Sequence, residues 1–443
     1  MKTKFGCLTL FFLCIFVFPT KCQTVMFLGN AQHTGISNSK FPTKGTFKQL
    51  WKFKTRAQIF GSAVAYKGLI YFGCDDSCLY ALNAKGGLQW KFKTNAKICS
   101  TPAIKDGVLY INNYGGFLFA LNAAHGNVIW KLKVQKDLPK MGYGLNYCTP
   151  KDSLIDDLWD FYASSPTIDQ AKEVLYFGCG YSMYAVNIRR GSVLWRFHTA
   201  GVIHSTPAVY SNRVFFGCWD GKLYALNAKT GKKEWDYQTL PDNENHNLEG
   251  IQASPVVFDS TVVVGARDSY VYAFNTASGR LVWKQKFAST WMPSSFAYDG
   301  RYLYTGSSDI AKLLVLSKQD GTTIRSASTG TYTFSSPTLA KGVAFIGSTN
   351  GALYAINVAD GTVIDQFYTD GRLKNPCHVV SNNGSLNNDA FADLTGTQYA
   401  TAVKYVQRLF TAGSILSTPA VYANRVYFGS TDTNFYCVAL VRP

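Results

Sequence analysis

The sequence predicts an all-β fold that repeats one unit of about forty residues. The first observation is a Ser-Pro or Thr-Pro pair, or a lone Ser, at eight positions: Ser62, Thr101-Pro102, Ser165-Pro166, Thr206-Pro207, Ser254-Pro255, Ser295, Ser336-Pro337 and Thr418-Pro419. The second is that each marker precedes short runs rich in Val, Ile, Tyr and Phe, separated by Gly, Asn and Asp turns. Four such strands per unit are typical of a blade, so we expect an eight-bladed β-propeller of four-stranded antiparallel blades. No amphipathic helix of useful length is expected.

Residues 1–22 have the features of a signal peptide. Lys2 and Lys4 precede an apolar run over 8–18, and Pro-Thr-Lys-Cys follows it at 19–22. The run is too short to cross a bilayer and no other long apolar run follows, so we expect no transmembrane segment. The sequence therefore predicts a cleaved leader and a secreted, extracellular chain, in which 23–443 form a single domain. A membrane anchor is the alternative interpretation of this run.

The first strand of the domain has the sequence of the end of a unit. Lys48 to Thr55 read KQLWKFKT, and similar strings close later units, as at Trp90 to Thr94. The eighth unit stops at Pro443 without its tryptophan strand. We therefore expect the N-terminal strand to complete the last blade, which would close the ring and remove its exposed edges.

The third and fourth strands of the units carry a family resemblance. Residues 225–235, ALNAKTGKKEW, resemble the tryptophan-docking motif of the PQQ-like, quinoprotein-type propellers. The tryptophans at this position are Trp51, Trp90, Trp130, Trp195, Trp235 and Trp283. Arg325 and Asp365 replace tryptophan in units six and seven. The resemblance spans Lys48 to Pro443 and implies that each indole is a structural residue held between neighbouring blades.

Three insertions interrupt the repeat, at about 135–161, 240–250 and 371–413. Each joins an outer strand to the next inner strand. Strands alternate in direction, so these connections share one face with the turns between second and third strands. Loops with little core of their own often carry binding function. We expect this face to bind a partner.

Eight cysteines lie in 23–443. An even number in an oxidising compartment suggests disulfides. The candidates are Cys74, Cys78, Cys148, Cys179, Cys218 and Cys377. We expect a bond between Cys74 and Cys78 across a short loop, and one from Cys148 to a turn cysteine of blade three or four. No zinc-type Cys/His spacing occurs, so no metal is expected. Asn383, in Asn-Gly-Ser, is a candidate glycosylation site.

The resemblance also implies a cofactor, pyrroloquinoline quinone with calcium, on the propeller axis. The candidate axial residues are Phe60, Cys99, His204, Gln252, Trp291 and Phe334. None of them is a carboxylate, although a calcium ion needs oxygen ligands and the reaction needs a base. The acids would have to come from loops, for example Asp160 or Glu249. We therefore expect no catalytic, cofactor or metal-binding residues.

The net charge is +17, and the sequence predicts where part of the positive charge lies. The period of two in the tryptophan strands turns alternate residues outward, giving a candidate basic arc: Lys52, Lys54, Lys91, Lys93, Lys131 and Lys133. The arc could attract an anionic glycan. Edge protection of the outer strands is the other interpretation, and we favour it. Nucleic-acid binding is not expected, and neither is oligomerisation.

Together these features predict a secreted, non-catalytic propeller that binds or scaffolds a protein or glycan partner. In this respect the chain is similar to the bacterial outer-membrane assembly lipoprotein, a propeller of the same family that binds no quinone. Pro19 to Cys22 make a poor lipobox, so the lipid anchor and the assembly role do not transfer. The alternative is a PQQ-dependent quinoprotein dehydrogenase.

Overall fold

A computed structural model describes residues 25–143, 145, 148–241 and 249–442. The predicted signal peptide, 1–22, lies outside these residues. The described chain forms the expected eight-bladed β-propeller, in which four antiparallel strands make each blade. Blade seven carries a fifth, short strand that pairs in parallel with its innermost strand. The predicted fold class is confirmed.

The strands are numbered along the chain. Two of them precede blade one: β1 (Ile36–Ser37) and β2 (Thr46–Lys54). Blades one and two contain β3 (Val64–Tyr66), β4 (Leu69–Gly73), β5 (Cys78–Asn83), β6 (Leu88–Lys93), β7 (Ala103–Lys105), β8 (Val108–Asn113), β9 (Phe117–Asn122) and β10 (Val128–Lys133). The first insertion contains the hairpin of β11 (Met141–Tyr143) and β12 (Leu154–Asp156). Blades three and four contain β13 (Thr167–Asp169), β14 (Val174–Cys179), β15 (Ser182–Asn187), β16 (Val193–His198), β17 (Ala208–Tyr210), β18 (Arg213–Gly217), β19 (Lys222–Asn227) and β20 (Lys233–Gln238).

Blades five to eight follow the same pattern. Blades five and six contain β21 (Val256–Phe258), β22 (Thr261–Gly265), β23 (Tyr270–Asn275), β24 (Leu281–Lys286), β25 (Ala297–Tyr298), β26 (Tyr302–Gly306), β27 (Lys312–Ser317) and β28 (Thr323–Ser328). Blades seven and eight contain β29 (Thr338–Ala340), β30 (Val343–Gly347), β31 (Ala352–Asn357), β32 (Val363–Tyr368), β33 (Ala420–Tyr422), β34 (Arg425–Gly429) and β35 (Asn434–Val441). The outer strand of blade eight is β2.

The ring closes as the sequence predicts. Strand β2 pairs antiparallel with β35, from Thr46 opposite Val441 to Lys54 opposite Asn434. The register shifts between Gln49 and Trp51, at the place where every other outer strand also shifts. The N-terminal strand therefore has the geometry of any other fourth strand, although it comes from the opposite end of the chain.

Hydrogen bonds between Ser/Thr markers connect neighbouring blades around the axis. The backbone N–H of a marker residue donates to the side-chain hydroxyl of the marker in the next blade, over distances of 2.8 to 3.3 Å. The bonds run from Ser62 to Thr101, Thr101 to Ser165, Ser165 to Thr206, Thr206 to Ser254, Ser254 to Ser295, Ser295 to Ser336 and Thr418 to Ser62. This geometry explains why each unit begins with a small hydroxyl residue, because the hydroxyl satisfies a buried backbone donor.

The docking tryptophans connect neighbouring blades. Each indole N–H donates to a backbone carbonyl in the turn of the next blade, at 2.9 to 3.1 Å. The acceptors are Ala84 for Trp51, Ala123 for Trp90, Ile188 for Trp130, Ala228 for Trp195, Thr276 for Trp235 and Lys318 for Trp283. A glycine lies under each ring: a Cβ at Gly231 would stand 2.6 Å from the Trp195 ring. The predicted structural role of these residues agrees with this geometry.

The two units without tryptophan keep the connection by other means. The Arg325 guanidinium donates to the carbonyls of Val358 and Ala359 at 2.5 Å, in place of the indole. The Asp365 carboxylate accepts the backbone N–H of Phe47 in β2. Both departures from the repeat therefore retain an interblade hydrogen bond.

Residues 25–37 cross the axial opening on the face that carries no insertions, which the sequence did not predict. The carbonyls of this segment accept backbone N–H groups of the innermost strands at 2.7 to 3.0 Å. The pairs are Val25 with Ile104, Ala31 with Val209, Gln32 with Val257, Thr34 with Tyr298, and Gly35 with Leu339. One segment thus bonds to blades two, four, five, six and seven. It has no periodicity, and so no pattern in the sequence identifies it.

His33 lies in this segment and is fully buried. Its Nδ1 lies 2.8 Å from the carbonyl oxygen of Pro255, and its ring contacts Phe27 edge-on. Burial lowers the pKa of His33 to about 4, although the bond to Pro255 opposes the shift. The imidazole is therefore neutral in the folded protein at physiological pH.

We expect the free energy of unfolding to fall as the pH decreases from about 6.5 to about 4. Unfolded His33 takes up a proton near pH 6.5, while folded His33 resists it until about pH 4. The neutral His33 side chain thus contributes about 3 kcal/mol to the free energy of unfolding. This contribution is complete above pH 6.5. Urea unfolding between pH 4 and 7 measures it. His33→Gln should flatten this slope and His125→Gln, at an exposed site, should not. Equal slopes in both variants would contradict the prediction.

The insertions add irregular structure and helices. The third insertion contains α1 (Asp370–Lys374), a 3-10 turn at Asn388–Phe391, and α2 (Tyr399–Phe410). The expectation that the chain has no amphipathic helix of useful length is wrong, because α2 buries Val406, Leu409 and Phe410 on one side. Of the second insertion, 242–248 lie outside the described residues. In the part of the chain that is described, no helix is long and apolar enough to cross a membrane.

The cysteines do not form the predicted disulfides. No disulfide joins any of the eight in the described residues, which include the candidates Cys74, Cys78, Cys148, Cys179, Cys218 and Cys377. The thiols of the equivalent turns point toward backbone carbonyls of the preceding connection: Cys74 to Ala57 and Gln58 at 3.5 Å, Cys179 to Gln135 at 3.1 Å, and Cys218 to Gly201 at 3.3 Å. Burial raises the pKa of the Cys74 thiol to about 12. These thiols are therefore unreactive and stabilise the turns by hydrogen bonds.

Candidate functional site

The first insertion folds over the axial opening on the insertion-bearing face. Its last residues place two aromatic rings on the axis. Phe161 stacks on Phe60, with 5.8 Å between ring centroids and 4° between ring planes. Trp159 stacks on Phe334 at 5.6 Å and 6°. The insertion therefore fills the mouth of the channel that the repeat alone would leave open.

The third insertion covers these rings. Phe410, at the end of α2, contacts both Phe161 and Phe60, at 5.3 and 6.0 Å between centroids. The Tyr162 hydroxyl lies within 3.0 Å of the carbonyl oxygens of Phe334 and Leu416. The two insertions and the innermost residues form one buried cluster. The face that carries the insertions is thus a packed layer.

His204 projects toward the axis, as the sequence predicts, and meets two carboxylates from the first insertion. Its Nδ1 lies 2.8 Å from Asp160 and its Nε2 lies 3.4 Å from Asp137, with all three side chains excluded from solvent. Burial alone would lower the pKa of His204, but Asp160 and Asp137 raise it to about 10. The imidazolium therefore neutralises part of the charge of two acids that could otherwise bind a cation.

A second buried cation holds the same insertion. Arg267, which is 1% exposed, forms an ion pair with Asp157, also 1% exposed. Its guanidinium lies between the rings of Trp219 and Trp291, at 4.3 and 4.2 Å from the centroids. Gln252 accepts a bond from Arg267 at 3.3 Å. Planar stacking on two indoles, combined with a carboxylate, is a favourable environment for a buried arginine.

The space left on the axis is small. The cavity there has a volume of about 30 Å³ and is lined by Phe60, Cys99, His204 and Gln252, among others. Cofactor and ligand pockets usually measure about 300 to 1,000 Å³. The acids beside it are already paired with His204 and Arg267. These residues do not fit a quinone with a calcium ion, because the cavity is too small for the cofactor and the carboxylates of Asp137, Asp157 and Asp160 are the counter-ions of buried cations.

The remaining two predicted axial residues line a different space. Trp291 and Phe334 form part of a cleft of about 420 Å³, together with Trp159 and Tyr332. The cleft lies beside the filled mouth, where blades five, six and seven meet. It is the stronger candidate for a ligand site. The sequence did not identify Trp159, Asp157 or Arg267. The aromatic run Trp159 to Tyr162 in a polar insertion was the available signal.

The predicted basic arc is exposed. Lys52, Lys54, Lys91, Lys93, Lys131 and Lys133 all alternate with more buried residues along their strands. Some of their charge is already engaged, because Lys52 pairs with Asp370 and Lys93 donates to the Asp76 carbonyl. Binding of an anionic glycan by the arc stays a prediction. So does glycosylation of Asn383, which is exposed in a turn.

Comparisons with known proteins match the fold and its repeats. A sequence profile described as outer membrane protein assembly factor BamB matches 43–156, 156–327 and 267–442. Quinoprotein alcohol dehydrogenase PedH of Pseudomonas putida is 35% identical over 85 residues, which are 17% of this chain and 14% of that protein. Tetrathionate hydrolase of Acidithiobacillus ferrooxidans is 40% identical over 53 residues, 12% of this chain and 11% of that protein. The chain thus spans only a small part of the length of these curated relatives.

Solved structures are similar over nearly the whole chain. BamB from Moraxella catarrhalis has a TM-score of 0.63 at 15% identity, with 89% of this chain and 100% of that chain covered. A europium-containing methanol dehydrogenase has a TM-score of 0.67 at 13% identity, covering 95% and 98%. At these identities the matches concern the fold alone.

Proposed function

The chain belongs to the family described as outer membrane protein assembly factor BamB, and on that premise we propose that it is a non-catalytic binding or scaffolding module. Its partner is a protein or a glycan, and its binding surface is the face that carries the insertions. The leader-like residues 1–22 and the exposed sequon at Asn383 support a secreted location. The function would then be extracellular and independent of a cofactor.

The observation that carries this proposal is the filled axial mouth. Trp159 and Phe161 occupy the axis with their own stacking partners, Phe334 and Phe60. The nearby acids serve as counter-ions for His204 and Arg267. A catalytic site would require a reactive group with space for a substrate beside it. The axis instead contains a packed aromatic cluster and two buried cations that are paired with carboxylates.

A PQQ-dependent dehydrogenase is the second candidate, because short segments match enzymes named as quinoprotein alcohol dehydrogenases. Those segments cover 17% and 15% of this chain. The docking motif recurs in most blades here, so a match of this length is explained by the structural repeat. The second candidate therefore rests on short matches alone.

The purified secreted protein provides the test. We expect no quinone in its denatured extract by mass spectrometry, no stoichiometric calcium, and no dye-linked oxidation of primary alcohols after addition of pyrroloquinoline quinone and Ca²⁺. The variant Trp159→Ala opens space at the mouth and serves as a comparison. We expect it to remain inactive, since Asp157 and Asp160 stay paired. Stoichiometric quinone or turnover with the wild-type chain would overturn the proposed function.

A further inference from the structure

The cleft beside the filled mouth has one aromatic wall. Trp159, Trp291 and Tyr332 meet nearly at right angles: the Trp159 plane makes 76° with Trp291 and 77° with Tyr332. Arg267 covers one face of Trp291, and Phe334 covers one face of Trp159. All three side chains remain partly exposed and line the cleft. Large aromatic surfaces held in place by packing are unusual at a solvent-filled cleft.

The cleft also has polar lining residues. It contains the exposed side chains of Lys286, Ser289 and Asp309, with Ser308 buried behind them. Ser308 donates to the Asp309 carboxylate, and the backbone N–H of Trp291 lies 3.4 Å from it. Asp268, deeper in the cleft, already accepts bonds from Leu240, Tyr270 and Tyr272. Hydrogen-bond donors and acceptors thus line the same cleft as the indole and phenol rings.

The charge of the walls selects among ligands. An organic cation suits an aromatic cage, but the Lys286 ammonium at the rim opposes it. An anion is opposed by Asp268 and Asp309. A neutral polyol meets neither objection, because Lys286 offers a donor and Asp309 an acceptor, while the Asp268 carboxylate is already engaged by Leu240, Tyr270 and Tyr272. A ring with an apolar face and a hydroxyl edge would pack against the aromatic side chains and form hydrogen bonds with the polar ones.

We propose that this cleft binds a neutral hexopyranose unit of a glycan, with the sugar ring against Trp291 or Tyr332 and its hydroxyls toward Lys286, Ser289 and Asp309. The volume of about 420 Å³ lies in the usual range for small-ligand sites. The inference rests on the proposed function, since it assigns the ligand of the insertion-bearing face. It requires no cofactor and no chemical step.

Calorimetric titration of the full secreted chain tests the proposal. The probes are four neutral trisaccharides (triacetylchitotriose, maltotriose, cellotriose and mannotriose), tetramethylammonium chloride and a heparin tetrasaccharide. We expect at least one neutral trisaccharide to bind. Tyr332→Leu and Lys286→Met should each weaken that binding by at least about tenfold, the effect of losing one well-placed contact.

Matched controls lie on the outer strands. Lys284→Met removes a lysine of the same strand, β24, and Tyr368→Leu removes an exposed tyrosine of β32, and neither residue lines the cleft. Both should change the affinity by less than about twofold, as expected for distant surface substitutions. If Tyr332→Leu fails to fold, as judged by circular dichroism, Lys286→Met against Lys284→Met decides the result, since both lysines are exposed.

Three outcomes overturn the cleft assignment: no trisaccharide binding up to about 10 mM, well beyond the millimolar range of weak sites; binding of only tetramethylammonium or heparin; or equal affinities in the cleft and control variants. The proposed function is judged separately. If a trisaccharide binds and is oxidised once quinone, Ca²⁺ and dye are added, the sugar site stands and the non-catalytic role fails. If no sugar binds and no oxidation occurs, the non-catalytic module stands without this site.

Discussion

Deleting residues 26–55 is expected to open the ring and to yield an aggregated or unsecreted chain. The deletion removes β2, which pairs with β35 along its length, and 26–37, whose carbonyls bond to the innermost strands of four blades. The edge of β35 would then be exposed, and an exposed long strand is a template for pairing between molecules. Size-exclusion chromatography of the secreted fraction measures the result.

A single substitution tests the same closure with less disruption. Trp51→Ala should lower the free energy of unfolding by about 3–5 kcal/mol, as is usual for loss of a packed tryptophan. The indole packs over Gly86 and donates to Ala84 of blade one. Lys48→Ala, in the same strand with an exposed side chain, is the control and should change little. A normal unfolding midpoint for Trp51→Ala, or a monomeric deletion variant of wild-type stability, would refute the role of β2 in closure.

The second large effect is expected at the buried ion pair. Asp157→Asn should lower the free energy of unfolding by about 3–5 kcal/mol, because it leaves the Arg267 charge buried without a carboxylate. Arg267→Met should lower the free energy of unfolding by a comparable amount, because it leaves the Asp157 carboxylate buried without a cation. The double variant Asp157→Asn/Arg267→Met should lose less than the sum of the single losses, since no buried charge remains. Chemical denaturation of all four proteins completes the cycle.

Hydrogen exchange in the insertion, and a control variant at an exposed ion pair, distinguish this effect from general destabilisation. Both single variants should increase hydrogen exchange in the described part of 137–161, because Asp157 connects that insertion to blade five. Arg189→Met, which removes the exposed pair with Glu173, is the control and should leave the free energy of unfolding nearly unchanged, because solvent screens an exposed ion pair. A loss in Asp157→Asn no larger than that of Arg189→Met would show that the buried pair does not hold the insertion.

The two ends of the axis are closed by different parts of the chain. Residues 25–37 cross one face through backbone hydrogen bonds, and Trp159 and Phe161 close the other through stacking. Because both ends of the axis are closed, the accessible aromatic rings lie at the rim, where Trp291 and Tyr332 are partly exposed. This arrangement explains why a fold that is common to enzymes and binding proteins can support a binding role here.

The repeat made much of the fold predictable from sequence alone. Strand number, blade number, closure by β2 and the structural role of the tryptophans follow from patterns that recur at fixed spacing, and the structure contains all of them. These features depend on local residue periodicity and on contacts between adjacent units. The same kind of contact recurs from blade to blade, so the residues that make it recur in the sequence at a fixed spacing.

The site could not be predicted in this way. The position of Trp159 over the axis and the pairing of Arg267 with Asp157 each depend on contacts that occur once. Arg267 and Asp157 are 110 residues apart, and no spacing rule connects them. Cys74 looked like a disulfide candidate because sequence shows only its position in a turn. Its thiol direction is set by the carbonyls of a neighbouring connection. The sequence by itself thus determined the propeller, through repeated local contacts, and only the tertiary structure decided what fills its axis and which aromatic rings face solvent, because those depend on single long-range contacts of the insertions.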